Sequence, residues 1–312
     1  LSKSSGIFVL LNKTLLRFTQ IHLKKIKMSK LKIAIQKNGR LNEKSLQLLE
    51  ECSIKFPNGS GKLITEATNF PVEILFLRDD DIPQYVEQKV ADIGIIGENV
   101  LIESKKNIEV ITKLGFSNCR LSLAVPKEIE YNGLAYFENK RIATSYPNIL
   151  ADFFKKQNIN VNIEFISGSV EIAPGIGLAE GICDIVSSGS TLLSNGLKEV
   201  EKILSSQAVL VANKNLDAEK QQILNKLLFR IQSVRKAKEN KYILLNAPNE
   251  KLEEIKALIP GMKSPTIIPL AQENWSSLHS VIREDQFWDS IDKLKEAGAE
   301  GILVIPIEKM IL

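Results

Sequence analysis

From Leu31 onward the chain alternates short apolar runs with amphipathic segments, and that alternation restricts the possible folds more than any other feature. "LKIAIQ" has the length and β-branched content of a strand, and "NEKSLQLLEEC" behind it repeats apolar residues at helical spacing. "VEILFLR" precedes the helical "DDDIPQYVEQKV", and "ADIGIIG" precedes "ENVLIESK". Strand followed by helix, repeated, predicts a mostly parallel sheet with helices on its faces, hence an α/β fold. "CRLSLAVP" is read as the close of this first group.

A second group opens near Lys140. "RIATSYP" and "VNIEFIS" read as strands around the helical "NILADFFKKQ", and "SVEIAPGIGLAEG" reads as a helical stretch interrupted by Pro174. "CDIVSSG" and "AVLVANK" are further strands, followed by a longer helix over residues 217–238. Two α/β lobes joined by short connections put a cleft between them, and open α/β sheets bind ligands beyond the carboxyl ends of their strands. The reading divides the chain into a two-lobed region over 28–240, its second lobe near 126–204, and a smaller domain over 241–312. In that smaller domain the order is βαββαβ, the split ferredoxin-like unit, with Gly298 as the expected end of its second helix. It holds no obvious catalytic cluster, which points to regulation or assembly, with a purely structural extension as the alternative.

Charge and composition narrow the function classes. The net charge of the 312 residues is +4, but Lys3, Lys13, Arg17, Lys24, Lys25 and Lys27 sit in a first segment without Asp or Glu. Without those six cations the rest of the chain is slightly acidic, which argues against nucleic acid as a partner. Met28 directly precedes the first strand, so residues 1–27 are expected to be upstream sequence outside the fold, with a transit peptide as the alternative. No apolar run reaches the roughly 20 residues of a membrane span. Cys52, Cys119 and Cys183 are scattered, which suits a reducing cytoplasm. His22 and His279 are the only histidines. His22 lies in the first segment, so the folded body has one His and no close Cys pair, which argues against Ser-His-Asp catalysis and against a His- or Cys-based metal site. A required metal would be a hard ion held by oxygens, such as Mg²⁺.

The stretch most suggestive of chemistry is "CDIVSSGSTL". An apolar strand runs into Ser187, Ser188, Gly189, Ser190 and Thr191, whose amides and hydroxyls can converge on an anion. No Gly-Lys-Ser/Thr follows, so this is not the NTPase phosphate loop, and on these residues alone a phosphate site and a plain turn are evenly matched. Asp184 in the same strand and Glu171 upstream offer carboxylates for a sugar or a metal-bound polyphosphate. Lys37 and Arg40 follow the first strand, where two cations suit a polyphosphate. Asp79–Asp81 carry a helix N-cap expectation at Asp81, and Asp92 precedes a buried strand.

Taken together, the chain resembles the ATP phosphoribosyltransferase family. The family signature is matched by Glu171, Gly177, Ala179, Ile182, Asp184, Ile185, Ser188, Gly189, Thr191 and Leu192, with Ser188 where relatives often carry Thr. The resemblance continues through "QKNGRL", "RDDDIP", "ADIGIIGENV", "CRLSLAVP", "KRIATSYP", "GSVEIAP" and "LVIPIEKM". It implies two lobes of the type II periplasmic-binding-protein fold and a C-terminal ACT-like domain. It also implies transfer of the phosphoribosyl group of phosphoribosyl pyrophosphate to N1 of ATP, the first step of histidine biosynthesis. Mg²⁺ would be held largely by substrate phosphates, with no protein ligand assigned. By the same resemblance Asp184, Ile185, Val186, Ser187, Ser188, Gly189, Ser190 and Thr191 bind phosphoribosyl pyrophosphate. Lys37, Arg40, Glu171 and Asp184 form the catalytic set, and Arg40, Asp79 and Asp92 lie near ATP. The C-terminal domain would bind histidine as feedback inhibitor, in a dimer that assembles into a hexamer. A two-lobed solute-binding protein without turnover is the rival, since the architecture is shared.

Overall fold

The computed structural model describes residues 29–57 and 62–311, so the extension expected over 1–27 lies outside the described residues. It divides into two compact units: the described residues up to Lys44 with Phe56–Ile223, and Ser45–Lys55 with the chain from Leu224 onward. In chain order the first unit carries β1 (Leu31–Gln36), the start of α1 (Arg40–Glu51), β2 (Ile64–Glu66), β3 (Val72–Leu77), α2 (Ile82–Glu87), β4 (Ile93–Gly97), α3 (Glu98–Ser104) and β5 (Glu109–Lys113). It continues with β6 (Cys119–Pro126), β7 (Arg141–Thr144), α4 (Pro147–Gln157), β8 (Asn162–Phe165), β9 (Gly181–Val186), α5 (Ser190–Ser194), β10 (Leu197–Ser206), β11 (Ala208–Ala212) and the start of α6 (Ala218–Glu239).

These strands form two sheets, β2-β3-β1-β4-β11-β5 and β10-β6-β9-β7-β8. The central strands of each are parallel: β3, β1 and β4 in one, β8, β7 and β9 in the other. Into each sheet one antiparallel strand is inserted by the other half of the chain. β11 lies between β4 and β5, and β6 lies between β9 and β10. "CRLSLAVP" therefore belongs to the second sheet and "AVLVANK" to the first, the reverse of their expected groups. An apolar run carries no mark of which sheet it enters. Both insertions are made by strands that cross between lobes, and chain order hides them. The two matching strand orders, each with its inserted antiparallel strand, give the type II periplasmic-binding-protein architecture.

Both sheets are covered on their two faces, which is why their inner strands are continuously apolar. Ile182 and Cys183 are neighbours in β9 that face opposite sides. Ile182 packs with Ala124, Ala143 and Val186, while Cys183 packs with Leu123, Phe137 and Phe154. The edge strands β5 and β10 carry charges throughout ("EVITK", "LKEVEKILSS"), the usual protection of a sheet edge, and so lack the apolar run that announces a strand. "SVEIAPGIGLAEG" forms only a 3₁₀ turn over Val170–Ile172, because Pro174 and Gly177, at φ +74°, do not continue a helix.

In the second unit β12 (Asn240–Pro248), α7 (Leu252–Leu258), β13 (Thr266–Pro269), β14 (Trp275–Arg283), α8 (Glu284–Glu296) and β15 (Glu300–Pro306) realise the βαββαβ order. The sheet β13-β14-β12-β15 is antiparallel and buries Ile243, Leu245 and Leu278 against Ile255, Phe287 and Leu294. Gly298, at φ +82°, follows the end of α8 as expected. His279 is half-buried on the face away from these helices, with Nδ1 2.7 Å from the Tyr242 hydroxyl and Nε2 3.2 Å from that of Ser277. No helix among the described residues is long and apolar enough to cross a membrane.

Candidate functional site

The hydroxyl-rich stretch lies beyond the carboxyl end of β9. Arg120, on the adjacent β6, donates from Nη1 to the Ser187 carbonyl at 3.1 Å, while its Nε and Nη2 grip both Glu199 oxygens at 2.5 Å. The start of the turn is thereby tied to the sheet. Gly189 follows at φ +82°, a left-handed conformation that residues with a side chain rarely adopt. The Ser188 and Ser190 hydroxyls stand 2.9 Å apart. The first backbone bond of α5 runs from the Leu193 amide to the Gly189 carbonyl, so the amides ahead of it lie outside the helical ladder. Amides and hydroxyls are therefore gathered on one short turn. Val186 is buried in the core and Ile185 is exposed, as strand alternation requires.

Asp184 stands half-buried in β9 and accepts the Ile185 amide at 2.7 Å. Burial raises its carboxyl above the ordinary aspartate range; the Ile185 hydrogen bond opposes the rise and the Glu171 charge adds to it. The fold thus brings Glu171 and Asp184 within electrostatic reach of each other.

A cavity of about 450 Å³ opens between the lobes. From the first lobe it is lined by Asp79 and Asp80 after β3, and by Val100, Glu103 and Ser104 of α3. From the second come Ser145, Tyr146 and Pro147 after β7, Phe165 at the end of β8, Ser167, and Asp184. Partial desolvation, then the Asp79 and Asp81 charges, raise the Asp80 carboxyl. The Tyr146 phenol is raised strongly by burial and by the Asp184 charge, and its oxygen accepts a hydrogen bond from Asn99 Nδ2 at 3.1 Å.

Asn99 also accepts from the Ser206 hydroxyl at 2.8 Å, so one buried amide joins α3, the end of β10 and the turn after β7. Gly97 makes room for it: a Cβ there would lie 2.3 Å from Asn99 Oδ1. Beside this link Glu103 reaches across the lobes, and its two oxygens accept the Asn148 and Ile149 amides at 2.9 Å each. Helix α4 has no side-chain cap of its own, and Glu103 supplies one from the other lobe.

The remaining sequence candidates are distributed unevenly. Lys37, on the turn after β1, and Arg40, the first residue of α1, are exposed at the carboxyl end of the first sheet but outside the lining of the cavity. Among the described residues neither is in a salt bridge. Asp92 is not brought to this end. It precedes β4 at its amino end, is 4% exposed, and binds the Lys32 amide and Lys220 Nζ at 2.8 Å each. Its geometry is that of a structural anchor. Asp81 does not cap α2 with its side chain, because a 3₁₀ turn over Asp79–Asp81 leads into that helix and leaves Asp81 in a helical conformation.

Sequence reasoning did not single out Tyr146, Glu103, Phe165 or Arg120. "RIATSYP" carried a signal for the first, since a strand that ends before Pro-initiated α4 must expose its last residues at the sheet's carboxyl end. A larger hollow of about 1020 Å³ in the second unit, lined by Met262, Arg283 and Trp288 among others, contains none of the signature residues, whereas the smaller cleft contains Asp184.

Residues 78–233 match the family model described as ATP phosphoribosyltransferase, and residues 237–309 match the one described as HisG, C-terminal domain. The ATP phosphoribosyltransferase of Phocaeicola vulgatus is 59% identical over 282 residues, covering 90% of this chain and 100% of its own. That of Cytophaga hutchinsonii is 58% identical over 281 residues, covering 90% of this chain and 98% of its own. Among solved structures, a chain of the ATP phosphoribosyl transferase (HisG:HisZ) complex from Thermotoga maritima superposes with a TM-score of 0.57 at 30% identity, over 65% of this chain and 96% of that one. The two-lobed fold is thus accompanied by 59% identity over 90% of the chain, and the chain belongs to the ATP phosphoribosyltransferase family.

Proposed function

We propose that the interlobe cleft seats both substrates, with the ribose of phosphoribosyl pyrophosphate at Asp184 and its 5′-phosphate on Ser187–Thr191. The chain is an ATP phosphoribosyltransferase, acting at the first step of histidine biosynthesis, and the family requires a divalent metal. Adenine N1 attacks C1 of the ribose, the C1–O bond to pyrophosphate breaks, and pyrophosphate leaves with that electron pair. The observation that carries the placement is Asp184, which both lines the cavity and begins the run into the hydroxyl-rich turn.

Each part of the reading has a physical support. The turn offers hydroxyls at Ser188, Ser190 and Thr191, and Gly189 lets the backbone bend toward an anion. Glu171 and Asp184 put negative charge where the ribosyl ring becomes oxocarbenium-like, and such fixed charge lowers the barrier without proton transfer. Lys37 and Arg40 are cations at the carboxyl end of the first sheet and fit the polyphosphates. Of the candidates near ATP, Arg40 and Asp79 are retained and Asp92 is given the anchoring role. The isoleucine and valine at 185 and 186 contribute backbone.

The metal is taken to be Mg²⁺, held largely by substrate phosphates. Among the described residues no group of three or more His, Cys, Asp or Glu side chains could hold a metal ion, which supports an ion carried in by the substrates and no assigned protein ligand. When bound, the ion neutralises charge on the leaving pyrophosphate. The domain from 241 onward is read as a histidine-binding regulatory domain, supported by the match of residues 237–309 to the family's C-terminal domain, and the assembly is read as a dimer that forms hexamers.

Purified full-length protein supplied with ATP, phosphoribosyl pyrophosphate and Mg²⁺ is expected to form phosphoribosyl-ATP and pyrophosphate. Folded protein that forms neither overturns the reading.

A further inference from the structure

The cleft is chemically one-sided. Its lining includes four carboxylates, from Asp79, Asp80, Glu103 and Asp184, and no lysine or arginine. A triphosphate brought among them would meet repulsion of like charges at low dielectric. The end of ATP that suits this lining is the base, whose exocyclic amino group donates hydrogen bonds and whose ring is uncharged.

The same lining holds a large aromatic side chain with no structural employment. Phe165 is 66% exposed, although phenylalanine is ordinarily among the most buried residue types. Its ring packs in neither of the two core clusters that flank its sheet. It ends β8, paired in register with Thr144, so it stands at the carboxyl rim that also carries Ser145 and Tyr146. Tyr146, the other aromatic of the lining, already has its hydroxyl bound by Asn99.

Strand spacing supplies the distance. In the order β9-β7-β8 one strand separates Phe165 from Asp184, so their strands lie about 10 Å apart. By register Phe165 shares its sheet face with Thr144 and Cys183, so it meets Asp184 at the rim of the cavity that both line, where a ribose at Asp184 with a purine beside it spans the gap.

We propose that Phe165 is the platform on which the adenine ring of ATP stacks, with the base entering the acidic cleft and the triphosphate directed out of it toward Lys37 and Arg40. This rests on the reading of the cleft as the seat of both substrates. Phe165 is then a substrate-contact residue that sets ATP affinity and holds N1 facing the ribosyl carbon. It has no part in binding the ribosyl donor.

The test compares full-length protein with its Phe165→Ala, Phe165→Leu and Phe165→Trp variants in steady-state assays. Loss of a base-stacking ring raises KM for ATP roughly five- to hundredfold. Phe165→Ala and Phe165→Leu are both expected to show that rise, with KM for phosphoribosyl pyrophosphate changed less than about twofold. Phe165→Trp keeps an aromatic face, so its KM for ATP is expected near that of the parent. Its added tryptophan fluorescence is expected to be quenched by ATP and not by inorganic triphosphate. An unchanged ATP KM in the first two variants, an equal rise for both substrates, or quenching by triphosphate alone overturns the inference. If the parent protein itself forms no phosphoribosyl-ATP, the reading of the cleft fails instead, so the two failures are distinguished.

Discussion

Glu103 Oε2 accepts the Ile149 amide at 2.9 Å, so a carboxylate of the first lobe caps the first turn of a helix in the second. The neighbouring Asn148 amide completes the pair on Oε1. A cap of this kind contributes about 1 kcal/mol, more when the acceptor is charged. Glu103→Gln retains one acceptor and loses the charge. It is expected to lower Tm by about 2–4 °C, the shift that corresponds to about 1 kcal/mol in a unit of this size. It is also expected to raise KM for both substrates together, because it loosens the joint between lobes. Calorimetry and steady-state kinetics measure the two effects, and an unchanged Tm would remove the interlobe role.

Thr191→Ala tests the phosphate turn. A hydrogen bond to a charged group is worth about 1.5–3 kcal/mol, so affinity for phosphoribosyl pyrophosphate is expected to fall by roughly ten- to a hundredfold. ATP affinity should change much less. Equal weakening of both, measured by direct binding or by KM, leaves the turn without its assigned phosphate.

The role proposed for Asp184 predicts a pH dependence of the rate. Burial and Glu171 raise its carboxyl, so the acid limb of kcat/KM is expected above the ordinary aspartate value of about 4. Glu171→Gln removes one of the raising charges, and its acid limb should lie at lower pH than the parent's. A limb that stays in place, or moves up, contradicts the coupling.

The same carboxylate has a stability consequence of fixed sign. Because its pKa is higher in the folded protein than in the unfolded chain, the folded state holds the proton more tightly. That stabilising contribution is present below the unfolded value and is lost as pH rises through the folded one. At neutral pH the ionised form therefore costs stability. Asp184→Asn is expected to be more resistant to denaturant than the parent at pH 7 while losing most activity, and the gain should shrink toward pH 3. Denaturation midpoints at the two pH values decide it.

Gly97→Ala tests the buried amide at the joint. The added methyl collides with Asn99 Oδ1 and strips Ser206 and Tyr146 of their partner. A loss of about 1–3 kcal/mol is expected from urea denaturation, in line with an orphaned buried hydrogen bond.

The inner parallel strands were legible because burial on both faces makes them continuously apolar, as in "IGIIG" and "GICDIV". The βαββαβ order was legible for the related reason that each element carries its own period. Edge strands such as "EVITK" were not, since an edge is guarded by charge. Membership of β6 and β11 was hidden because sheet assignment is a long-range property, absent from any local window. In the cleft, Asp184 was visible as part of a spaced motif. Glu103 and Phe165 were not, because a helix-capping glutamate and a strand-ending phenylalanine look ordinary until two lobes meet.

The insertion of β6 and β11 also bears on synthesis of the chain. The first sheet cannot be finished when β5 leaves the ribosome, for β4 and β5 are joined only through β11, which ends at Ala212. The chain must hold that gap open while the whole second sheet is made, a wait of several seconds at ordinary elongation rates. A nascent fragment released before Ala208 would expose the flank of the wholly apolar β4, a ready template for pairing with another chain. Pulse-labelled truncations ending near 200 and near 215 should therefore differ sharply in solubility, the shorter being the one that aggregates.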